Sequence, residues 1–176
     1  MSEPIETEAA AATGRMIRES GERVRQIAVP PTARALSTLS HIDYADAFLV
    51  EAGTARHWSA EQCARAVLEG APLGVRSNLL LGWSTIGLKP AIGGSSRSIL
   101  GWEIRLNKPE FVLLGLDSLI GMPAELLFKR EHDALLFCTF VQQNNRIARA
   151  MWASVEATHA RIVGNLLGQA ADRLGQ

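Results

Sequence analysis

The sequence predicts an α+β fold: a strand, two short helices, a run of antiparallel strands and one long C-terminal helix. Three observations carry this expectation. Trp102, Ile104 and Leu106 alternate with Glu103 and Arg105, the pattern of a strand with one dry face and one wet face. From Ala148 to Leu174 apolar residues recur at three- and four-residue steps with no proline between them, which marks one stripe of a long helix. Between the first strand and the sheet lie two apolar stretches punctuated by Gly70, Pro72 and Gly87, each the length of a short helix.

In chain order, Arg15 to Ile27 reads as an amphipathic helix, with Met16, Ile17, Val24 and Ile27 near one face and Gly21 weakening it. Val29-Pro30-Pro31 stops it, and Thr32 to Ser40 reads as linker. Tyr44 to Val50 is a strand: Tyr44, Asp46, Phe48 and Val50 share one parity, Ala45, Ala47 and Leu49 the other, and Gly53 ends it. Ser59 is placed to cap the next helix, with Glu61 and Gln62 in its first turn and Cys63, Ala66 and Val67 as its apolar face. Val75, Leu79, Leu80 and Trp83 recur at helical spacing in a second, less regular helix. The stretch around Gly93-Gly94-Ser95-Ser96 is a loop. It lacks the following helix and Lys-Ser/Thr of a phosphate cradle.

The strand at Trp102 to Leu106 turns through Asn107 to Glu110 and returns as Phe111 to Leu116. Gly121 and Pro123 punctuate the next connection. Two further strands flank a tight turn at Glu131-His132-Asp133. On them Leu126 and Phe128 alternate with Leu127, and Phe137, Thr139 and Val141 alternate with Leu136, Cys138 and Phe140. Both parities are apolar, so both faces of the sheet need at least partial cover. On the closing helix, Gly164 and Gly168 stand four residues apart, a spacing that allows close approach of another backbone. Five or six strands are legible.

Composition narrows the function classes. The formal net charge is zero, which argues against a nucleic-acid partner, because phosphate neutralisation needs a surplus of Lys and Arg. The first residues are acidic and Ala-rich rather than basic and apolar, so they do not read as a secretory signal, and no stretch approaches the roughly 20 apolar residues of a membrane span. The expectation is a cytoplasmic protein. Lysine occurs only at positions 89, 108 and 129 while arginine and alanine are abundant, which fits a GC-rich bacterial source. Cys63 and Cys138 read as two buried free thiols rather than a disulfide. His41, His57, His132 and the cysteines show no metal-ligand spacing, and G-x-S-x-G is absent, so neither a metal site nor serine hydrolysis is expected. No cofactor is implied.

The order β-αα-β(n)-α with a terminal amphipathic helix resembles the helix-grip fold of the START-like (SRPBCC) superfamily. That group includes polyketide cyclases and aromatases, lipid-transfer domains and the major birch pollen allergen. The likeness is carried by Asp43-Tyr44-Ala45-Asp46-Ala47-Phe48 on the first strand and by Trp152, His159 and the Ala160 to Leu167 run on the last helix. It looks closest to a bacterial family of unknown function within the group, and it covers about residues 28 to 174. The implied division is a tail over 1–27 with its amphipathic helix and a START-like domain over 28–176. The implied architecture is a curved antiparallel sheet wrapped around the C-terminal helix, with a cavity between them.

Such a cavity would favour a hydrophobic or aromatic small molecule with few polar anchors. The residues expected at its wall are Tyr44, Trp102, Ile104, Phe128, Trp152 and His159. Each has a structural alternative: a core aromatic for the tryptophans, a structural hydrogen bond for Tyr44, a core histidine with a satisfied ring for His159. Catalysis by His159 needs a second group in reach, and Asp46, Glu103 and Glu125 are the carboxylates that strand parity offers. Three functions follow: a non-catalytic binder of a hydrophobic molecule, a cyclase- or aromatase-like enzyme with His159 as proton shuttle, or a homodimeric interaction module built on the two-sided strands and the N-terminal helix.

Overall fold

A computed structural model describes residues 23–51, 53, 57–91 and 95–175. Its seven strands form one antiparallel sheet in the order β1-β2-β7-β6-β5-β4-β3. They are β1 (Val24–Ile27), β2 (Tyr44–Glu51), β3 (Ser98–Ile99), β4 (Trp102–Asn107), β5 (Phe111–Leu116), β6 (Ala124–Arg130) and β7 (Ala134–Val141). The helices are α1 (Pro31–Arg34), α2 (Ala60–Leu68), α3 (Leu73–Thr85) and α4 (Arg146–Leu174). The fold is α+β: a curved open antiparallel sheet, two short helices after β2, and a long C-terminal helix. It is compatible with a helix-grip fold.

Two differences from the sequence reading lie at the N-terminal end. Val24 to Ile27 is not the end of a helix but an edge strand, paired from Val24↔Val50 to Ile27↔Ala47. Val24 and Ile27 suit either period, and the open edge of β2 decides between them by satisfying the backbone groups. The rest of the expected helix, residues 15–22, lies outside the described residues, as does the Gly93-Gly94 pair. The stretch after β1 is not a bare linker. Ala33 is buried, and Val29, Leu36, Leu39 and Ile42 pack on the outward face of the sheet against Ala47, Leu113, Leu127, Leu136, Cys138 and Phe140. This strap is the cover that the two-sided strands demanded.

Glu125 latches the strap. Its side chain is fully buried, and it accepts hydrogen bonds from Ser37 Oγ (2.5 Å), Thr38 N (3.1 Å), the Thr38 hydroxyl and Arg105 (2.9 Å). Arg105 reaches it by crossing Gly115, where any Cβ would collide with the guanidinium. A β-bulge between Ile104 and Leu106 makes that path. The bulge also corrects the alternation expected of this strand. Trp102 is buried, but Leu106 pairs with the outward-facing Leu113 and remains exposed.

The inward face holds the main core. Phe48, Val112, Leu114, Phe128 and Phe137 meet Cys63, Ala64, Val67 and Leu68 of α2 and Leu166, Leu167, Ala170 and Leu174 of α4. A capping box starts α2: Ser59 Oγ accepts from Gln62 N and Gln62 Oε1 accepts from Ser59 N. Asn145 starts α4 by accepting from Ala148 N at 2.9 Å. Helix α4 has 29 residues, roughly 43 Å of helix. It buries Ala148 and Trp152 near its start and Val163 onward near its end, and nothing between. A Cβ added at Gly164 or Gly168 would meet nothing within 4 Å among the described residues outside the helix itself, so the close backbone approach their spacing suggested is not seen there.

Helix α3 is unusual in another way. It is apolar, yet none of its 13 residues is fully buried. Leu73 and Leu81 are exposed, and Val75, Leu79, Leu80 and Trp83 are half-buried. It therefore lies over the molecule rather than in it.

Candidate functional site

Where α4 leaves the core between Trp152 and Val163, and α3 lies loosely beside it, space opens. A cleft of about 500 Å³ is lined by Leu79, Leu81, Trp83 and Ile86 on one side and by Trp152, Val155, His159 and Ile162 on the other. Asn78, Thr85 and Thr158 add its polar margins, and among the described residues no Asp, Glu, Lys or Arg lines it. The volume falls in the range of about 300–1,000 Å³ usual for small-molecule sites, and the lining is the mixture such sites show: apolar walls with few polar groups. The floor of the sheet is filled here by Trp102, which stacks edge-on against Trp83 with ring centroids 5.3 Å apart. The cleft thus opens sideways between α3 and α4. On the other flank of α4 a second recess, about 450 Å³, is lined by Gln26, Tyr44, Ala45, Asp46, Ala153, Glu156, Ala157 and Ala160.

Between the two recesses stands a polar cluster. Asp46 is buried on β2, opposite Thr139 of β7. It accepts from Tyr44 Oη at 2.9 Å and from Thr139 N at 3.3 Å. His159 Nε2 lies 3.2 Å from Asp46 Oδ2, close enough for an ion pair but not aligned as a hydrogen bond. The His159 and Tyr44 rings rest 5.1 Å and 4.6 Å from the Trp152 ring and 6.0 Å from each other, so the three form one cluster. Strand period brings Tyr44 and Asp46 to one face, and a seven-residue step on α4 brings Trp152 and His159 to the same face of the helix.

Of the carboxylates that parity offered to His159, Asp46 is the one that reaches it. Glu125 faces the strap on the opposite side of the sheet, and Glu103 is exposed. Of the expected wall residues, Trp152 and His159 line the larger cleft and Tyr44 the smaller recess. Trp102 and Phe128 lie in the core and Ile104 is half-buried against it. The contribution of α3, chiefly Leu79, Leu81 and Trp83, was not legible as a site, because its apolar residues look like ordinary core until the packing is known. Among the described residues, no three His, Cys, Asp or Glu side chains converge as a metal ion would need. His41 pairs with Asp43 at the surface, and His132 is exposed.

Burial pushes the Tyr44 hydroxyl far above the ordinary phenol range, and the nearby Asp46 charge adds to it. Tyr44 therefore stays a donor to Asp46. Burial also raises Cys63, and it raises Cys138 to about 12 with help from the Asp46 charge. All three groups are raised in the folded state, so their contribution to stability is complete below the unfolded values and lost as pH climbs through the folded ones. Stability in urea is expected to fall from roughly pH 8.5, the free-thiol value, upward. In the same protein neither thiol should react with Ellman's reagent until denaturant is added. A stability profile flat from pH 8 to 11, or rapid native labelling, contradicts this reading.

No helix among the described residues is long and apolar enough to cross a membrane. No protein-family model matches the chain, and no curated protein is detectably similar to it.

Proposed function

We propose that this chain is a START-like helix-grip protein that binds a hydrophobic or aromatic small molecule, without chemistry, in the cleft between α3 and α4. The observation that carries the reading is the cleft itself: about 500 Å³, walled by two tryptophans and aliphatic side chains, with no Asp, Glu, Lys or Arg among the described residues of its lining. Burying an apolar molecule there gains roughly 25 cal/mol for each Å² taken from water. The loose packing of α3 supplies a way in, since a helix with no buried residue can shift at low cost.

The test is a fluorescence titration with 1-aminoanthracene, a neutral apolar fluorophore. Saturable binding to the wild-type chain is expected, and Leu79→Lys should weaken it by roughly tenfold or more by placing a charge against the probe. Leu79 is half-buried, so the variant should still fold. Absence of saturable binding, or equal binding by the variant, removes the proposal.

A second reading is favoured by one contact, the 3.2 Å approach of His159 to the buried Asp46. A carboxylate behind an imidazole orients the ring and supports a proton on it, the arrangement of many general acid–base pairs. In a cyclase- or aromatase-like enzyme His159 would be the proton shuttle. Turnover that survives His159→Ala unchanged removes this second reading and leaves binding untouched.

A further inference from the structure

Seven large apolar side chains stand exposed among the described residues, and five of them lie on α3, on the part of α4 beside it, or on the loop that joins their ends. Leu81 and Ile162 face the cleft from its two helices. Leu119 N donates to Gly87 O just past α3, and the side chain of Asn145, which caps α4, donates to Ile120 O. Leu119 therefore stands at the junction of the two helices, with Ile147 in the first turn of α4, and Leu73 continues the apolar line to the far end of α3. Leu73, Leu81, Leu119 and Ile147 are between 66% and 75% exposed. Single exposed leucines are common, but five around one helix pair form an uncovered patch of the kind that marks an interface. The same segments carry one sign of charge. Leu73–Thr85 and Arg146–Ile162 hold four arginines, one glutamate and no lysine or aspartate, in a chain whose formal net charge is zero. Arg146, Arg149 and Arg161 are exposed, and none has a carboxylate partner among the described residues. Seven-residue steps put Arg161 with Ser154 and Ile147 on the side of α4 turned away from Trp152 and His159. Glu156, the one acid, lines the second recess on the flank away from the cleft.

We propose that the face formed by α3 and the adjoining part of α4 docks on the surface of an anionic lipid bilayer. Such a surface answers both features at once. The exposed leucines and isoleucines enter the boundary between headgroups and acyl chains, and the guanidinium groups stay among the phosphates. A second copy of the chain fits worse, because a two-fold contact through this face sets arginines against arginines. The helices lie on the bilayer: among the described residues none is long and apolar enough to cross it. The docking does not rest on the binding reading above. A cleft that takes no probe leaves it standing, and a protein that ignores vesicles leaves the cleft reading standing.

The experiment is flotation of the full chain with vesicles of phosphatidylcholine and phosphatidylglycerol, compared with vesicles of phosphatidylcholine alone. Binding to the anionic vesicles is expected, weakening as salt is added, and binding to the neutral ones should be roughly tenfold weaker or more. Arg146→Gln together with Arg161→Gln should weaken anionic binding roughly thirtyfold, about fivefold for each cation lost near the surface. Leu73→Ser together with Ile147→Ser should weaken it roughly tenfold. Leu106→Ser, which changes an exposed leucine on the strap side of the sheet, should leave it unchanged. All five side chains are exposed, so the variants should fold. Hydrogen exchange on the wild type reads the face without any substitution: residues 73–85 and 146–162 should gain protection on anionic vesicles, and residues 29–42 should not. Equal flotation with both kinds of vesicle, either double variant binding as the wild type does, or protection confined to the strap overturns the docking. Flotation with neither kind overturns it too and leaves the exposed leucines to a protein partner.

Discussion

Replacing Glu125 with alanine is expected to destabilise the protein by about 3–5 kcal/mol, the cost of removing one partner from a buried ion pair. The carboxylate is fully buried, and it gathers Ser37, Thr38 and Arg105. Without it, the Thr38 N–H loses its acceptor and the Arg105 guanidinium keeps only the exposed Asp117 as a carboxylate partner. The strap from Val29 to Ile42 then keeps only its apolar contacts with Leu113, Leu127 and Phe140. Urea denaturation measures the loss, and protease cleavage within the strap should accelerate. Glu125→Gln keeps an acceptor and should cost less. Gly115→Ala should reproduce part of the effect, because its Cβ takes the space through which Arg105 reaches Glu125. If Glu125→Ala unfolds at the wild-type urea midpoint, the strap is held by its apolar side chains alone.

Trp152→Ala is expected to cost about 3–5 kcal/mol as well, the range for truncating a buried indole, and also to abolish binding of 1-aminoanthracene. Trp152 is 5% exposed, touches Tyr44 and His159 with its ring, and belongs at once to the core and to the cleft wall. Trp152→Phe separates the two roles. It keeps an aromatic ring in the core, so most of the stability should return, while the wall recedes and the indole N–H is gone. Binding that stays at wild-type strength in Trp152→Ala would show that the probe sits elsewhere.

The elements that recur with a clean period were legible in the sequence. The stripe from Ala148 to Leu174 defines α4, and Ser59 with Gln62 marks the start of α2. The shared parity of Tyr44 and Asp46 places them on one face of β2. What escaped has no period. Val29, Leu36, Leu39 and Ile42 are spaced irregularly, and only the apolar outward face of β5, β6 and β7 shows that they cover something. Val24 to Ile27 fits a helix or a strand equally, and the free edge of β2 settles it. The bulge at Arg105 cannot be read from an alternation that it interrupts by a single residue. The cleft was expected beneath the helix against the sheet. It lies beside the helix, because Trp102 and its neighbours fill the floor while α3 leaves Leu79 and Trp83 incompletely buried.

The central claim is that an apolar molecule occupies the space between α3 and α4. The most direct measurement is a methyl-resolved NMR titration with 1-aminoanthracene. The claim predicts that the methyls of Leu79, Leu81, Val155 and Ile162, all in the cleft wall, shift together and saturate at one affinity, while those of Leu113 and Leu127 beneath the strap stay still. Saturation of the probe with the four cleft residues unmoved would contradict it.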